Sequence, residues 1–327
     1  MSTEISHPSE RRLVLASGRA HPELAEGVAR EMGIDLLPTT AYTFANGELY
    51  VRFGESVRGA DTFVLQSHAA PINEAIMEQL VMVDAMKRAS AKRITVIMPS
   101  YGYARQDKKH AGREPISARL MADLFKTAGA DRIMSIDLHS AQIQGFFDGP
   151  VDHLWAMPIL TEYVRTRVDL QNVTVVSPDA GRIRVAEQWA SKLGGCPLAF
   201  IHKTRDIRSP NQTVANRVVG DVEGRTCVIA DDLIDTAGTI TGAVRVLLEA
   251  GAKDVIIAAT HGLLSGPAVE RLQACGAREV IVTDTLPIEE EKRFDKLTVL
   301  SVAPLIARAV REVFDDGSVT SLFDGES

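Results

Sequence analysis

Long apolar runs are missing from this 327-residue chain. The longest candidate, Val255 to Leu264, falls short of the ~18–20 residues of a membrane span and contains His261. The N-terminal stretch from Met1 to Arg12 is polar, so no signal peptide is expected. Cysteine is scarce. Cys196, Cys227 and Cys275 are odd in number and match no zinc spacing, which implies reduced thiols and a cytoplasmic setting. Basic charge is not in excess: 36 Lys and Arg stand against 43 Asp and Glu, for a net charge of −7. A non-specific duplex binder is normally basic, so nucleic acid is not expected as a partner. A locally positive site for a small anion remains compatible with an acidic protein. No Gly-Lys dipeptide occurs, which excludes a Walker-type phosphate loop. Disorder as the main state is excluded too, because 45% hydrophobic and 24% charged residues are near the globular average.

What is present is alternation. Short β-branched runs begin at Leu13, Thr62, Ile94, Ile133, Val173, Thr226, Val255, Glu279 and Leu297. They are nearly continuous in apolar character, as parallel strands covered on both faces are. Helical patterns lie between them. Asn73–Ala89 carries Ile76, Leu80 and Val83 on one stripe, Ser117–Thr127 carries Leu120 and Leu124, and Thr239–Glu249 carries Val244, Leu247 and Leu248. This predicts an α/β architecture with mainly parallel sheets.

One pattern, small-small-Ala-charged-charged-β-branched, recurs four times, starting at Ala89, Ala128, Ala250 and Cys275. Each copy follows a helix pattern and opens a strand, and three have Gly at the second position, which suits a left-handed helix C-cap. Two copies per half predict two related α/β domains. The expected boundaries are a disordered tail at 1–11, a first domain at 12–152 and a second at 153–327, leaving open that the last helix and acidic tail pack on the first.

Ligands of open α/β sheets bind beyond the carboxyl ends of the strands. The segment VIADDLIDTAGTI (Val228–Ile240) places paired carboxylates there, Asp231 and Asp232, followed by a small-residue turn and a helix start. Successive amides at such a turn, with the positive end of the helix, form a cradle for a phosphate monoester, and Thr236 and Thr239 can add hydroxyl donors. Phosphate repels carboxylates, so the acids belong at the far end of the same ligand, on vicinal hydroxyls. A ribose 5-phosphate moiety fits; an acidic cap that binds nothing is the alternative. Lys203 and Arg205 stand two apart after an apolar run and open the polar stretch Thr204–Asn216, which has no period. That reads as a loop closing over substrate or, on local sequence alone, as a solvated basic loop.

The Val228–Ile240 segment resembles the phosphoribosyl-diphosphate binding motif of type I phosphoribosyltransferase folds. FANGE (44–48), GESVRG (54–59), YARQDKK (103–109), DLHSAQIQGFFD (137–148), SPDAG (177–181), IHKTR (201–205) and THGLLSGPA (260–268) resemble, in order, the ribose-phosphate pyrophosphokinase family. That resemblance implies two tandem phosphoribosyltransferase type I-like domains, each a mainly parallel sheet flanked by helices. It implies transfer of the diphosphoryl group of ATP to ribose 5-phosphate, with Mg²⁺ as cofactor. Lys203 and Arg205 would be catalytic. Phe44, Asn46, Gly47, Glu48, Arg105 and Gln106 would bind ATP, and Lys108 and Lys109 are left open between binding and solvation. Arg205, Asp231, Asp232, Asp235, Thr236, Ala237, Gly238 and Thr239 would bind ribose 5-phosphate. His139 and Asp179 would serve the metal, although His139 suits phosphate donation equally well. Ser56, Arg58, Ser318 and Thr320 resemble a regulatory anion site for phosphate and ADP. A homo-oligomer, a hexamer in the family, is implied because the Phe44 loop reaches a neighbouring subunit there. Rival readings are a phosphoribosyltransferase and a non-catalytic regulator of the same fold.

Overall fold

The computed structural model describes residues 11–204 and 215–323. The chain forms two compact units, Met1–Leu154 with Ala303–Ser327, and Trp155–Val302. In the first unit the order is β1 (Leu13–Ser17), α1 (Pro22–Met32), β2 (Thr39–Thr43), β3 (Leu49–Phe53), β4 (Asp61–Leu65), α2 (Ile72–Arg88), β5 (Arg93–Met98), α3 (Ser117–Ala128), β6 (Arg132–Ile136) and β7 (Val151–Leu154). The second unit carries α4 (Met157–Arg165), β8 (Val173–Ser177), α5 (Ile183–Lys192), β9 (Leu198–Thr204), β10 (Ala215–Val219), β11 (Thr226–Ile234), α6 (Gly238–Glu249), β12 (Asp254–Gly262), α7 (Ala268–Ala274), β13 (Glu279–Thr283) and β14 (Leu297–Leu300). The last helix, α8 (Ala303–Phe314), belongs to the first unit and packs on α1.

The first unit has a five-stranded sheet in the order β1-β4-β5-β6-β7, every pair parallel, and a separate antiparallel pair, β2-β3. The second has one seven-stranded sheet, β10-β9-β8-β11-β12-β13-β14, parallel except at β9-β10. β4 and β8 are buried at every position, as strands with helices on both faces must be. Helices close each core: Met82, Val83 and Met86 of α2 and Phe125 of α3 in one unit, Val244 and Leu247 of α6 and Leu272 of α7 in the other.

The repeated connection has one geometry in all four copies. Its second residue has positive φ: Ser90 63°, Gly129 124°, Gly251 87° and Gly276 84°. In three copies the Ala amide that follows donates to the last helical turn, Ala91 to Met86, Ala130 to Phe125 and Ala252 to Leu247. The next amide then joins the preceding strand or its approach: Lys92 to Ala60, Asp131 to Ile94, Lys253 to Arg225 and Arg278 to Val255. A left-handed residue reverses the chain off the helix, and glycine adopts that conformation without a Cβ clash.

Two expectations need correction. Leu120 and Leu124 do not face the core; they are 53% and 38% exposed, and α3 buries Ala118, Met121, Ala122 and Phe125 instead. The helix is apolar on two faces, and one residue of offset turns a stripe by about 100°. The polar stretch Thr204–Asn216 is also shorter as a loop than its lack of period implied. Thr204 ends β9, Ala215 and Asn216 begin β10, and the two strands pair with Lys203 opposite Asn216. Residues 205–214 between them, Arg205 included, lie outside the described residues, as do residues 1–10 of the expected tail. Arg11 itself is anchored, 2.8 Å from Asp61 and 2.7 Å from Asp316.

Candidate functional site

In the second unit the chain runs outward from β8 to β9 and β10, then returns to place β11 on the opposite side of β8. The strand order therefore reverses between β8 and β11, and a crevice opens at their carboxyl ends. β8 ends in Ser177 and leads to Asp179; β11 carries Asp231 and Asp232 and leads to the turn Asp235–Thr239. The tertiary fold thus brings together residues about 50 apart in sequence.

The turn presents its amides because its carbonyls are held elsewhere. Leu263 and Leu264 amides donate to the Ile234 carbonyl, and the Ser265 amide donates to Asp235. The Arg271 guanidinium donates to the Thr236 carbonyl at 2.9 Å. Ala237 caps α6 at φ 59° and ψ 3°, a left-handed conformation that costs a non-glycine residue roughly 1 kcal/mol or more. Thr241 donates to the Ala237 carbonyl, so the amides of Gly238, Thr239 and Ile240 precede the helical ladder. Gly238 and Thr239 are exposed, and Asp235 is half-buried. Such an arrangement of backbone dipoles suits an anion.

The two carboxylates sit at the edge of the turn. Their side chains are 18% (Asp231) and 10% (Asp232) exposed. Asp231 Oδ1 accepts from the Asp232 amide at 2.9 Å. Burial, and then the charge of Asp232, push the Asp231 carboxyl above the usual carboxylate range, while Arg182 pulls it down. Arg182 ends the 3-10 turn after Asp179, with its guanidinium 2.5 Å from Asp232 Oδ2 and 3.9 Å from Asp231 Oδ1. Asp179 Oδ1 accepts from the Gly181 amide at 2.8 Å.

In the first unit, the loop after β5 carries the exposed Arg105 and is tied down on either side of it. Tyr101 donates its hydroxyl to the Ala118 carbonyl at 2.8 Å, and Gln142 donates to Asp107 at 2.8 Å. Ser117 donates to Gln106 Oε1 at 2.7 Å, which leaves the amide nitrogen of that side chain for other partners. The Gly102 amide donates to His68 Nδ1 at 2.8 Å, and His68 Nε2 bonds Gln79 Oε1 at 2.9 Å, so the proton sits on Nε2. Burial lowers the His68 pKa to about 4, which outweighs the opposite effect of Gln79. Arg105, Lys108 and Lys109 are exposed. His139 follows β6 and is half-buried.

Phe44–Glu48 forms the tip of the β2-β3 pair. The Phe44 amide donates to the Glu48 carbonyl, Gly47 turns at φ 91°, and Asn46 Oδ1 accepts from the Glu48 amide. The Phe44 ring is 45% exposed and edges Tyr42 at 5.1 Å. Ser56 and the tail segment approach consecutive residues: Arg12 donates to the Ser56 carbonyl, and Arg11 pairs with Asp316. Ser318 and Thr320 hydroxyls bond each other at 2.8 Å.

A sequence profile described as the N-terminal domain of ribose phosphate pyrophosphokinase matches residues 13–129, and one described as the phosphoribosyl synthetase-associated domain matches residues 200–324. A ribose-phosphate pyrophosphokinase of Bifidobacterium longum is 71% identical over 317 residues, covering 96% of this chain and 93% of that protein. One from Corynebacterium glutamicum is 65% identical, covering 98% of each. The chain belongs to the ribose-phosphate pyrophosphokinase family. The crystal structure of a phosphoribosylpyrophosphate synthetase from Mycobacterium smegmatis superposes with a TM-score of 0.89 at 65% identity, covering 94% of this chain and all of that one.

Within this pyrophosphokinase fold, the second unit gathers Asp179, Asp231, Asp232 and the Asp235–Thr239 turn in one crevice. The first unit carries Arg105, Gln106 and His139 at strand ends and Phe44–Glu48 on its hairpin. Lys203 lies at the end of β9. Reading the sequence missed Arg182, Arg271 and the amides of residues 263–265. The signal for the last was the motif THGLLSGPA itself; the contacts of Arg182 and Arg271 span 50 and 35 residues and leave no local pattern. Among the described residues no three His, Cys, Asp or Glu side chains cluster as a metal cage. Mg²⁺ needs none: it keeps several waters and is held by one or two carboxylates together with phosphates. Asp179, with one oxygen on the Gly181 amide and the other without a partner among the described residues, fits that mode. Among the described residues no helix is long and apolar enough to cross a membrane.

Proposed function

We propose that this chain transfers the diphosphoryl group of ATP to the anomeric hydroxyl of ribose 5-phosphate, giving 5-phosphoribosyl 1-diphosphate (PRPP) and AMP for nucleotide, histidine and tryptophan biosynthesis in the cytoplasm. The observation that carries this is the Asp235–Thr239 turn, whose carbonyls are tied back while its first helical amides face outward beside two carboxylates. The 5-phosphate sits on those amides and on the hydroxyls of Thr236 and Thr239. Asp231 and Asp232 accept from the ribose hydroxyls. The anomeric oxygen then attacks the β-phosphorus of ATP, the bond from that phosphorus to the α–β bridging oxygen breaks, and AMP departs.

Charge develops on the transferring oxygens, so the chain's part is positioning and electrostatic stabilisation. Arg105 and Gln106 bind ATP phosphates, with a guanidinium suited to bidentate contact. Phe44 stacks on adenine, and Asn46, Gly47 and Glu48 shape the edge of that subsite. Lys203 and Arg205 are the catalytic cations. Asp179 of the second unit and His139 of the first are the chain's residues that would serve Mg²⁺, whose chemistry would be to neutralise phosphoryl charge. The functional unit is a homo-oligomer, a hexamer in this reading, for which the apolar stripe Ile116, Leu120 and Leu124 exposed along α3 offers a contact surface. Phosphate and ADP act as effectors through Ser56, Arg58, Ser318 and Thr320.

The test is an AMP assay with MgATP in the presence and absence of ribose 5-phosphate. Sugar-dependent AMP with stoichiometric PRPP is expected; AMP release that ignores the sugar would overturn the reading. Incubation with PRPP and free bases, followed for nucleotide, is the corresponding assay for a phosphoribosyltransferase.

A further inference from the structure

His68 is buried in the first unit and takes no part in the chemistry above, yet a chain of contacts fixes its ring and ends on the loop after β5. The chain starts at Gln79 of α2, which is fully buried. Its amide nitrogen donates to the Val64 and Ile97 carbonyls, each at 3.0 Å. Both amide hydrogens are thereby used, and Gln79 Oε1 faces His68 Nε2 at 2.9 Å. That oxygen only accepts, so Nε2 carries the proton and Nδ1 is left as an acceptor. Nδ1 takes the Gly102 amide at 2.8 Å. Burial keeps the ring neutral, so this acceptor persists at neutral pH. The ring also stacks on Phe125 of α3, with centroids 5.9 Å apart.

Gly102 opens the segment that carries Arg105 and Gln106. A Cβ on it would lie 2.9 Å from both His68 Nδ1 and Ile76 Cδ1, so only glycine lets the main chain come this close to the ring. The next residue, Tyr103, holds φ 63°, a strained conformation for so large a side chain that persists only where the surroundings impose it. His68 fixes the residue before it, and Asn73 Oδ1 accepts the Tyr103 hydroxyl at 2.5 Å. At the far end the Gln106 amide donates to the Tyr103 carbonyl, and Ser117 holds the Gln106 side chain. We propose that His68, set by Gln79, is a positioning residue for ATP: it fixes the start of the Tyr103–Gln106 segment and so aims Arg105 and Gln106 at the nucleotide phosphates. A buried amide left unpaired carries a desolvation cost, so without the acceptor Gly102 leaves this geometry for one that reaches water.

This rests on the reading that Arg105 and Gln106 meet ATP. The experiment is steady-state kinetics of His68→Leu, His68→Gln and His68→Asn in the full chain, with ATP and ribose 5-phosphate varied separately. Asn places its carbonyl oxygen where Nδ1 stands, whereas Gln carries its amide out to the Nε2 position and Leu offers no acceptor. KM for ATP should rise about tenfold in Leu and Gln, the scale of a buried amide left unpaired, and stay within about threefold of wild type in Asn. KM for ribose 5-phosphate should stay within about twofold in all three, since the sugar contacts do not change. An unchanged KM for ATP in Gln overturns the proposal, as do equal KM values for ATP in Asn and Gln or a parallel rise for both substrates. If the Leu variant does not fold, the Asn and Gln pair decides, because both keep a polar side chain at the site. Hydrogen exchange at the Gly102 amide reads the same contact without turnover. It should be faster in Gln than in wild type and Asn, and equal exchange in all three overturns the proposal. Arg105→Gln separates the two levels. If it raises KM for ATP while His68→Gln does not, only the role of His68 falls; if it leaves KM for ATP unchanged, the ATP reading falls and the proposal with it.

Discussion

The two units share one order of elements and differ in what stands at equivalent strand ends. β1 and β8 start the two sheets, and β4 and β11 lie beside them. Both inner strands contain Thr-x-Val, at Thr62 and Thr226, and both feed a helix, α2 and α6. Where β11 continues with Ala230, Asp231 and Asp232, the chain after β4 continues with Gln66, Ser67 and His68. The acids are half-buried and reach the crevice; His68 is buried, neutral and bonded on both ring nitrogens. The hairpins differ as well. β9-β10 joins the second sheet and creates the reversal of strand order, whereas β2-β3 stands apart and leaves the first sheet running in one direction. One scaffold thus yields a charged crevice where the order reverses, and a packed neutral strand end where it does not. The helix after each sheet's last strand is exchanged too: α4 follows β7 but belongs to the second unit, and α8 follows β14 but belongs to the first.

The comparison can be broken most forcefully at the proposed catalytic lysine. Lys203→Ala should lower turnover by about a thousandfold or more, as removal of a group stabilising transition-state charge does. Its thermal midpoint should stay near that of the wild type, and wild-type turnover in PRPP formation would remove Lys203 from the reaction.

Next in size is the turn. Ala237→Val puts a β-branched residue at φ 59°. KM for ribose 5-phosphate should rise by roughly tenfold or more, on the order of the 1–3 kcal/mol of such strain. A β-branched change in the first turn of α2, Asn73→Val, should leave that KM unchanged. Equal effects from the two substitutions, measured in parallel kinetics, would mean that the units do not divide the labour.

His68 provides a pH test of the neutral strand end. Its folded pKa of about 4 lies below the free value of about 6.5, so the native state favours the neutral form. The stability it contributes is complete above about pH 6.5 and is lost as pH falls toward 4. His68→Gln, which cannot titrate, should be less stable than the wild type at neutral pH, with the gap narrowing on acidification in thermal melts. A constant gap would show that His68 does not titrate in that window.

The smallest effect on the single chain is expected at α3. Leu120→Gln with Leu124→Gln should change chain stability by about 0.5 kcal/mol or less per site, because both residues are exposed. The same variant should lower the mass seen in sedimentation. An unchanged mass would exclude this stripe as the contact between copies.

Much of this was legible in the residues. All nine apolar runs became strands, because β-branched continuity is what a doubly covered parallel strand needs. The Asp235–Thr239 turn was legible because its signals are local: small residues and a helix start lie within one segment. β2, β3, β7, β9 and β10 were not; in β2 and β3 the exposed positions carry polar residues that dilute the signal. The orientation of α3 was not, since leucines on one face and Ala-Met-Phe on another compete on equal terms. Arg182 was not, since a guanidinium after a turn reads as solvated until a strand from 50 residues away brings its carboxylates.

Taken alone, the order of amino acids determined the alternation of strand and helix, the four left-handed connections and the turn between Asp235 and Thr239, because each depends on neighbours within a few positions. Only the tertiary structure decided which strand lies beside which. That choice put the order reversal between β8 and β11, set Arg182 against two acids, and sent α8 back to the first unit, because pairing and burial over long separations depend on the whole folded sheet.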